Sequence, residues 1–129
     1  MSTASKTRTD APDGLDTGAI RAAVATALAP GVAMPSRVSI DAGCRSLLQH
    51  LEDLMGEDYD VGRRPEARAL YTAASDVLDK AHRPTAESSQ FSAWQYTRNL
   101  AALVGAFLDL YTAQQAAQHV RPTHSGGQR

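Results

Sequence analysis

The sequence predicts an all-α protein, an antiparallel four-helix bundle flanked by disordered N- and C-terminal tails. Three observations carry that expectation. Four segments repeat apolar residues at the 3.6-residue period of a helix, prolines punctuate the gaps between them, and no segment alternates apolar and polar residues between hairpin turns. At 129 residues the chain has the length of one domain. We divide it into a tail over 1–14, a single bundle domain over 15–118 and a second tail over 119–129.

The first helix is expected over Asp16 to Leu28, with Asp16 as N-cap and Ile20, Val24, Ala27 and Leu28 on one face. Ala29-Pro30-Gly31 stops it. The second starts at Ser36 or Ser39 and ends at Met55 before Gly56. Its residues Ile40, Cys44, Leu47, Leu48, Leu51, Leu54 and Met55 form the strongest periodic stripe in the chain. The charged loop Glu57 to Arg64 is expected to be exposed. The third helix begins at Pro65, a favoured first-turn residue, and carries Ala67, Leu70, Tyr71, Ala74, Val77, Leu78 and Ala81 as far as His82. The fourth begins at Ser88 or Ser89 and runs to about Gln118. Its apolar set is Phe91, Trp94, Ala101, Leu103, Val104, Phe107, Leu108 and Tyr111.

Within the fourth helix, Leu100 to Leu108 is uninterrupted apolar sequence. A surface helix shows one apolar stripe. A helix apolar all round must be covered on several sides, either as the centre of the bundle or against a second copy. Three short, alanine-rich partners cover little, and uncovered apolar surface tends to mark an interaction site. A homodimer or another protein partner is therefore expected. The fourth helix would lie at the interface, with Leu100, Leu103, Val104, Phe107 and Tyr111 as its contact residues.

Thirteen basic and fourteen acidic residues leave a net charge of −1, which argues against a broad nucleic-acid surface. A regulator contacting DNA through Arg63, Arg64, Arg68 and Lys80 is a minor alternative. Cys44, the sole cysteine, is read as a small buried hydrophobe. The polar stretch Met1 to Gly14 has no secretory apolar region, and no apolar run approaches the roughly 20 residues of a membrane span. The expected location is cytoplasmic.

There is no phosphate-binding glycine loop, Cys-x-x-Cys, His-Glu-x-x-His or nucleophile elbow. We assign no cofactor, metal or catalytic residue. Asp79-x-x-His82 reads as a solvated helix end, and Glu57-Asp58-Tyr59-Asp60 lacks the spacing of a calcium loop. The sharper candidate is a polar-aromatic pocket between the second and fourth helices. His50, Trp94 and Arg98 would line it with Tyr71 or Tyr96, offering aromatic walls and a few polar groups to a small molecule.

Several of these residues also fall in short motifs: Asp16-Thr-Gly-Ala-Ile-Arg21 followed by Ala27-Leu28, Leu47-Leu-Gln-His-Leu-Glu-Asp-Leu54, and Arg98-Asn-Leu-Ala101 with Tyr111. In these the chain, from Leu15 to Tyr111, resembles a family of small actinobacterial helical proteins associated with natural-product biosynthesis. It departs from that pattern after the second helix, where Met55-Gly-Glu-Asp58 replaces a Pro-Glu. The resemblance implies a setting in or near a specialised-metabolite pathway and supplies no catalytic residues. The expected role is a non-catalytic accessory or interaction protein. The alternative is a helical bundle that binds or acts on a pathway intermediate.

Overall fold

The computed structural model describes residues 15–30 and 33–128, with side chains as far as residue 117. The tail expected over 1–14 lies outside the described residues. Four α-helices follow one another: α1 Thr17–Leu28, α2 Arg37–Met55, α3 Pro65–Leu78 and α4 Gln90–Gln128. The second expected tail, from 119, falls where α4 carries no described side chains.

Each start follows from a local side chain. Asp16 Oδ1 accepts from the Ala19 N–H at 3.0 Å, Ser36 Oγ from Ser39 at 3.2 Å, and Ser89 Oγ from Ser92 at 3.0 Å. These bonds satisfy donors that a helix N-terminus otherwise leaves bare. Helix α3 has no side-chain cap; Pro65 in its first turn lacks the donor that would need one. The expected third helix is broken at Asp79. That residue leaves the helical region at ψ 123°, and its carboxylate caps a 3-10 turn, Lys80–His82, by accepting from Ala81 at 3.0 Å.

Directions alternate along the chain, as short connections require. The α1 N-terminus meets the middle of α4, well beyond its start, where the Leu15 N–H donates to Tyr111 Oη at 3.1 Å. The starts of α2 and α4 lie together, because Gln90 Nε2 donates to the Pro35 carbonyl at 2.5 Å. Arg37 fastens the same end, donating Nη1 to the Ser88 carbonyl at 2.6 Å and Nη2 to the Thr85 carbonyl at 2.7 Å. The bundle is not a square array. Helix α4 packs on all three others, most extensively on its parallel neighbour α2. The core runs along that contact through Cys44, Leu47, Leu51, Leu54, Leu100, Val104 and Phe107.

The apolar stretch of α4 is thus the bundle's centre. Leu100, Val104 and Phe107 are fully enclosed, Tyr111 and Leu103 nearly so, and only Ala102 of the stretch is exposed. This corrects the expected interface. The five residues offered as a dimer contact are core residues of one chain, enclosed by the Leu47, Leu51 and Leu54 stripe of α2 together with α1 and α3, all of which pack on α4. The exposed loop is corrected as well. Tyr59, set among acidic residues, is fully buried, and its hydroxyl donates to the Leu54 carbonyl at 2.6 Å. Asp60, at φ 56°, turns the chain back so that the ring points inward while its charged neighbours stay in water. Phe91, counted as apolar lining of α4, is 60% exposed.

Candidate functional site

The five residues proposed for a polar-aromatic pocket do not converge. Tyr71 belongs to a corner between α3, α4 and the end of α2. Its ring lies edge-on to Phe107 with centroids 5.4 Å apart, and its hydroxyl donates to the Met55 carbonyl at 2.6 Å. Tyr96 faces α3 and donates to the Val77 carbonyl at 2.6 Å. Burial pushes both phenols above their ordinary range, with Asp58 and Glu57 adding to the effect at Tyr71. They are neutral anchors with occupied hydroxyls. His50 is half-buried on α2. Trp94 and Arg98 do meet, with the guanidinium 5.5 Å from the ring centroid. Successive turns of α4 place them so, in a cation–π contact worth about 0.5–1 kcal/mol at a partly exposed site.

The structure instead forms a groove on the α1 side of that pair, between α1, α2 and α4. Its volume is about 580 Å³. Small residues make it: Ala22, Ala23 and Ala27 on α1, and Gly43 and Ser46 on α2. Trp94 and Thr97 close it from α4, and Pro35 and Ser39 form one end. His50 and Arg98 are not among its lining residues. Thr97 is buried and donates to the Ala93 carbonyl at 2.8 Å, so it offers the groove mainly its methyl. A volume of this size falls within the range of small-ligand pockets. The surface is largely apolar and carries no charged side chain, so it can bind by burial of apolar area; besides Trp94, its polar side chains are the hydroxyls of Thr26, Ser39, Ser46 and Thr97, with no acid or base in the lining beside them.

The exposed large apolar side chains among the described residues do not line the groove but neighbour its lining in sequence. They are Phe91 at 60% exposure, Val38 at 79% and Met34 at 41%. Met34 precedes Pro35, Val38 precedes Ser39, and Phe91 sits one turn before Trp94 on α4. All three belong to the two segments joined by the Gln90–Pro35 bond. Sequence reasoning missed this site because its makers are alanine, glycine and serine. Those residues signal helix, and their lack of bulk becomes visible as space only when three helices are assembled.

On the opposite face of α2, Cys44 is 8% exposed, as expected of a buried hydrophobe, and burial pushes its thiol up despite a Thr97 hydrogen bond. The arginines weighed for DNA contact are held locally. Arg64 pairs with Glu66 at 3.1 Å, Arg63 with Asp60 at 3.7 Å, and Arg68 donates to the Val61 carbonyl at 3.0 Å. No cluster of metal-ligating side chains occurs among the described residues, nor does any described helix have the length and apolarity to cross a membrane. Asp79 and His82 are not a pair: Asp79 caps the 3-10 turn, and the His82 ring lies 2.9 Å from the Asp76 carbonyl.

No curated protein and no solved structure matches this chain. Residues 18–116 match a family of unknown function, DUF6415, and that span takes in most of α1, all of α2 and α3, and α4 through the lining of the groove. The chain belongs to the DUF6415 family.

Proposed function

We propose that this is a non-catalytic interaction protein that receives an apolar segment of a protein partner in the groove between α1, α2 and α4. The observation that carries the reading is the uncharged, largely apolar groove itself, with the exposed Phe91 one helical turn from its Trp94 wall. Phe91, left in water beside the Gln90–Pro35 end of the groove, enlarges the apolar surface available to a partner. The absence of charged groups in the lining supports recognition by burial over chemistry. A second copy of the chain is one such partner, and the homodimer expected from sequence then closes through this end rather than through the enclosed face of α4.

The setting we infer is the cytoplasm of an actinobacterium, in or near a specialised-metabolite pathway. The motif resemblance around Asp16, His50 and Arg98 supports the pathway. A second reading, a small-molecule binder, draws on the groove's volume and its Trp94 wall.

The test is native mass spectrometry with sedimentation equilibrium, repeated on Phe91→Ser. Trp94 is the sole tryptophan, so its emission reports the groove directly. Under the interaction reading the purified protein forms a dimer or retains a partner, Trp94 emission shifts to the blue on association, and folded Phe91→Ser loses the complex. A monomer at high micromolar concentration that retains a small molecule, with Phe91→Ser behaving as wild type, transfers the groove to the second reading. A guest-free monomer whose Trp94 emission ignores the apolar probe anilinonaphthalene sulfonate sinks both.

A further inference from the structure

A second pocket, of about 390 Å³, lies on the other side of α2, against the connection after the 3-10 turn. Its lining brings together three arginines: Arg37 and Arg45 from α2, and Arg83 from the connection. The one carboxylate in the lining, Asp41, is taken up by Arg37 Nε at 2.9 Å. With both terminal nitrogens on the Ser88 and Thr85 carbonyls, Arg37 is a staple that fixes the connection to α2. Arg83 is placed differently. Its Nε donates to the Leu78 carbonyl at 3.2 Å, and Pro84 stiffens the chain just beyond it. That single bond orients the guanidinium and leaves its two terminal nitrogens to the pocket. Arg45 reaches the same space from an exposed position on α2, and no carboxylate among the described residues pairs with it.

We propose that this pocket binds the phosphate group of a small phosphomonoester between Arg45 and Arg83. Two guanidinium groups from different elements repel one another across a shared pocket unless an anion sits between them. Each presents a planar fork that matches oxyanion geometry. A carboxylate has two oxygens and one charge. A phosphomonoester has three terminal oxygens and close to two charges near neutral pH, which suits two forks converging from different directions. The volume exceeds that of a bare phosphate and leaves room for the organic group against Leu48 and Pro84. Nucleic acid is a poorer fit, because a polyanion is held by a stripe or patch of many cations. The site is independent of the apolar groove, since the two share no lining residue.

The probes are inorganic phosphate and glycerol 3-phosphate, titrated at constant ionic strength into the full chain and followed by ¹H–¹⁵N spectra. Saturable shifts are expected at the Arg45, Arg83, Thr85 and Ala86 amides and at the Nε–H groups of Arg45 and Arg83. Arg45→Gln, an exposed change outside the core, should weaken binding roughly tenfold or more, the scale of charge-assisted hydrogen bonds. Arg83→Gln should do at least as much, with circular dichroism verifying the fold. Arg63→Gln should bind as wild type. Shifts that never saturate, or that spread evenly over all exposed arginines, reduce the effect to charge screening and overturn the proposal. So does an Arg45→Gln protein with wild-type affinity. Capture by phosphatidic acid vesicles without any response to the two soluble probes assigns the arginines to a lipid surface, and the soluble phosphomonoester is then wrong.

Discussion

The two sides of α4 are built on opposite plans. Toward α3, large rings close the space: Tyr59, Tyr71 and Phe107 lie with centroids 5.4–6.3 Å apart, and both hydroxyls are spent on backbone carbonyls. Toward α1, the facing residues are alanine, glycine and serine, and a groove is left open beside Trp94. The same helix therefore anchors the fold on one side and presents an unfilled surface on the other. Stability and binding are separable here, and substitutions should sort by side.

The largest effect is expected at the aromatic corner. Phe107→Ala should cost about 3–5 kcal/mol in denaturant melts, because a fully enclosed ring touching two others leaves a cavity that a helix-centred core closes poorly. Tyr59→Phe comes next. It keeps the ring but removes one of two donors to the Leu54 carbonyl, which retains the Glu57 N–H at 3.1 Å, so about 0.5–1.5 kcal/mol should be lost. If Tyr59→Phe melts like wild type, water replaces the hydroxyl and the corner is less closed than described.

The groove side should respond the other way. Ser46→Phe places a ring in open space and should shift stability by less than about 0.5 kcal/mol, as surface changes do, while abolishing the response of Trp94 to an apolar probe. Gly43→Ala sharpens the comparison, since a Cβ built there meets nothing within 4 Å. Removing a helix-interior glycine should then stabilise the chain by about 0.5–1 kcal/mol. A loss instead would mean that another part of the chain fills the groove and that its emptiness is only apparent.

How much of this was legible follows the same division. The helices were readable because caps and prolines act locally: Asp16, Ser36 and Pro65 each open a helix where the sequence places it. The α2 stripe was readable because large apolar residues at helical spacing point to a core wherever the partner lies. Tyr59 was hidden by its charged neighbours, whose burial pattern depends on a left-handed Asp60 that residue type alone does not announce. The groove was hidden because it consists of missing atoms. Of the five candidate pocket residues, Trp94 alone lines it. Tyr71 and Tyr96 went elsewhere because helical spacing fixes a face, while the neighbour on that face is set by how the helices assemble. The second arginine pocket escaped notice because its members come from α2 and a distant connection, and only the Arg37 staple brings them together.

The smallest expected effect concerns pH and belongs to neither side. Within the aromatic corner burial pushes the Tyr59 and Tyr71 phenols up, so both stay neutral through the physiological range and add no pH dependence there. His82, just past the end of α3, is a group whose pKa is raised. The Asp76 carbonyl beside its Nδ1 raises its pKa first, and the Asp76 carboxylate at 3.6 Å adds to it. A cation at a helix C-terminus is favoured for the same reason, since the last carbonyls carry partial negative charge. A folded value above the ordinary 6.5 means the fold prefers the protonated ring. The stabilisation is therefore fully present below pH 6.5 and is lost as pH rises through the folded value. The ring is exposed, so the change in melting temperature across that window should be small. Proton spectra of the His82 ring give the sharper measurement. Asp76→Asn should lower its pKa but leave it above the ordinary value, because the backbone carbonyl remains. An unchanged value in Asp76→Asn would assign the whole shift to the end of α3 and none to the carboxylate.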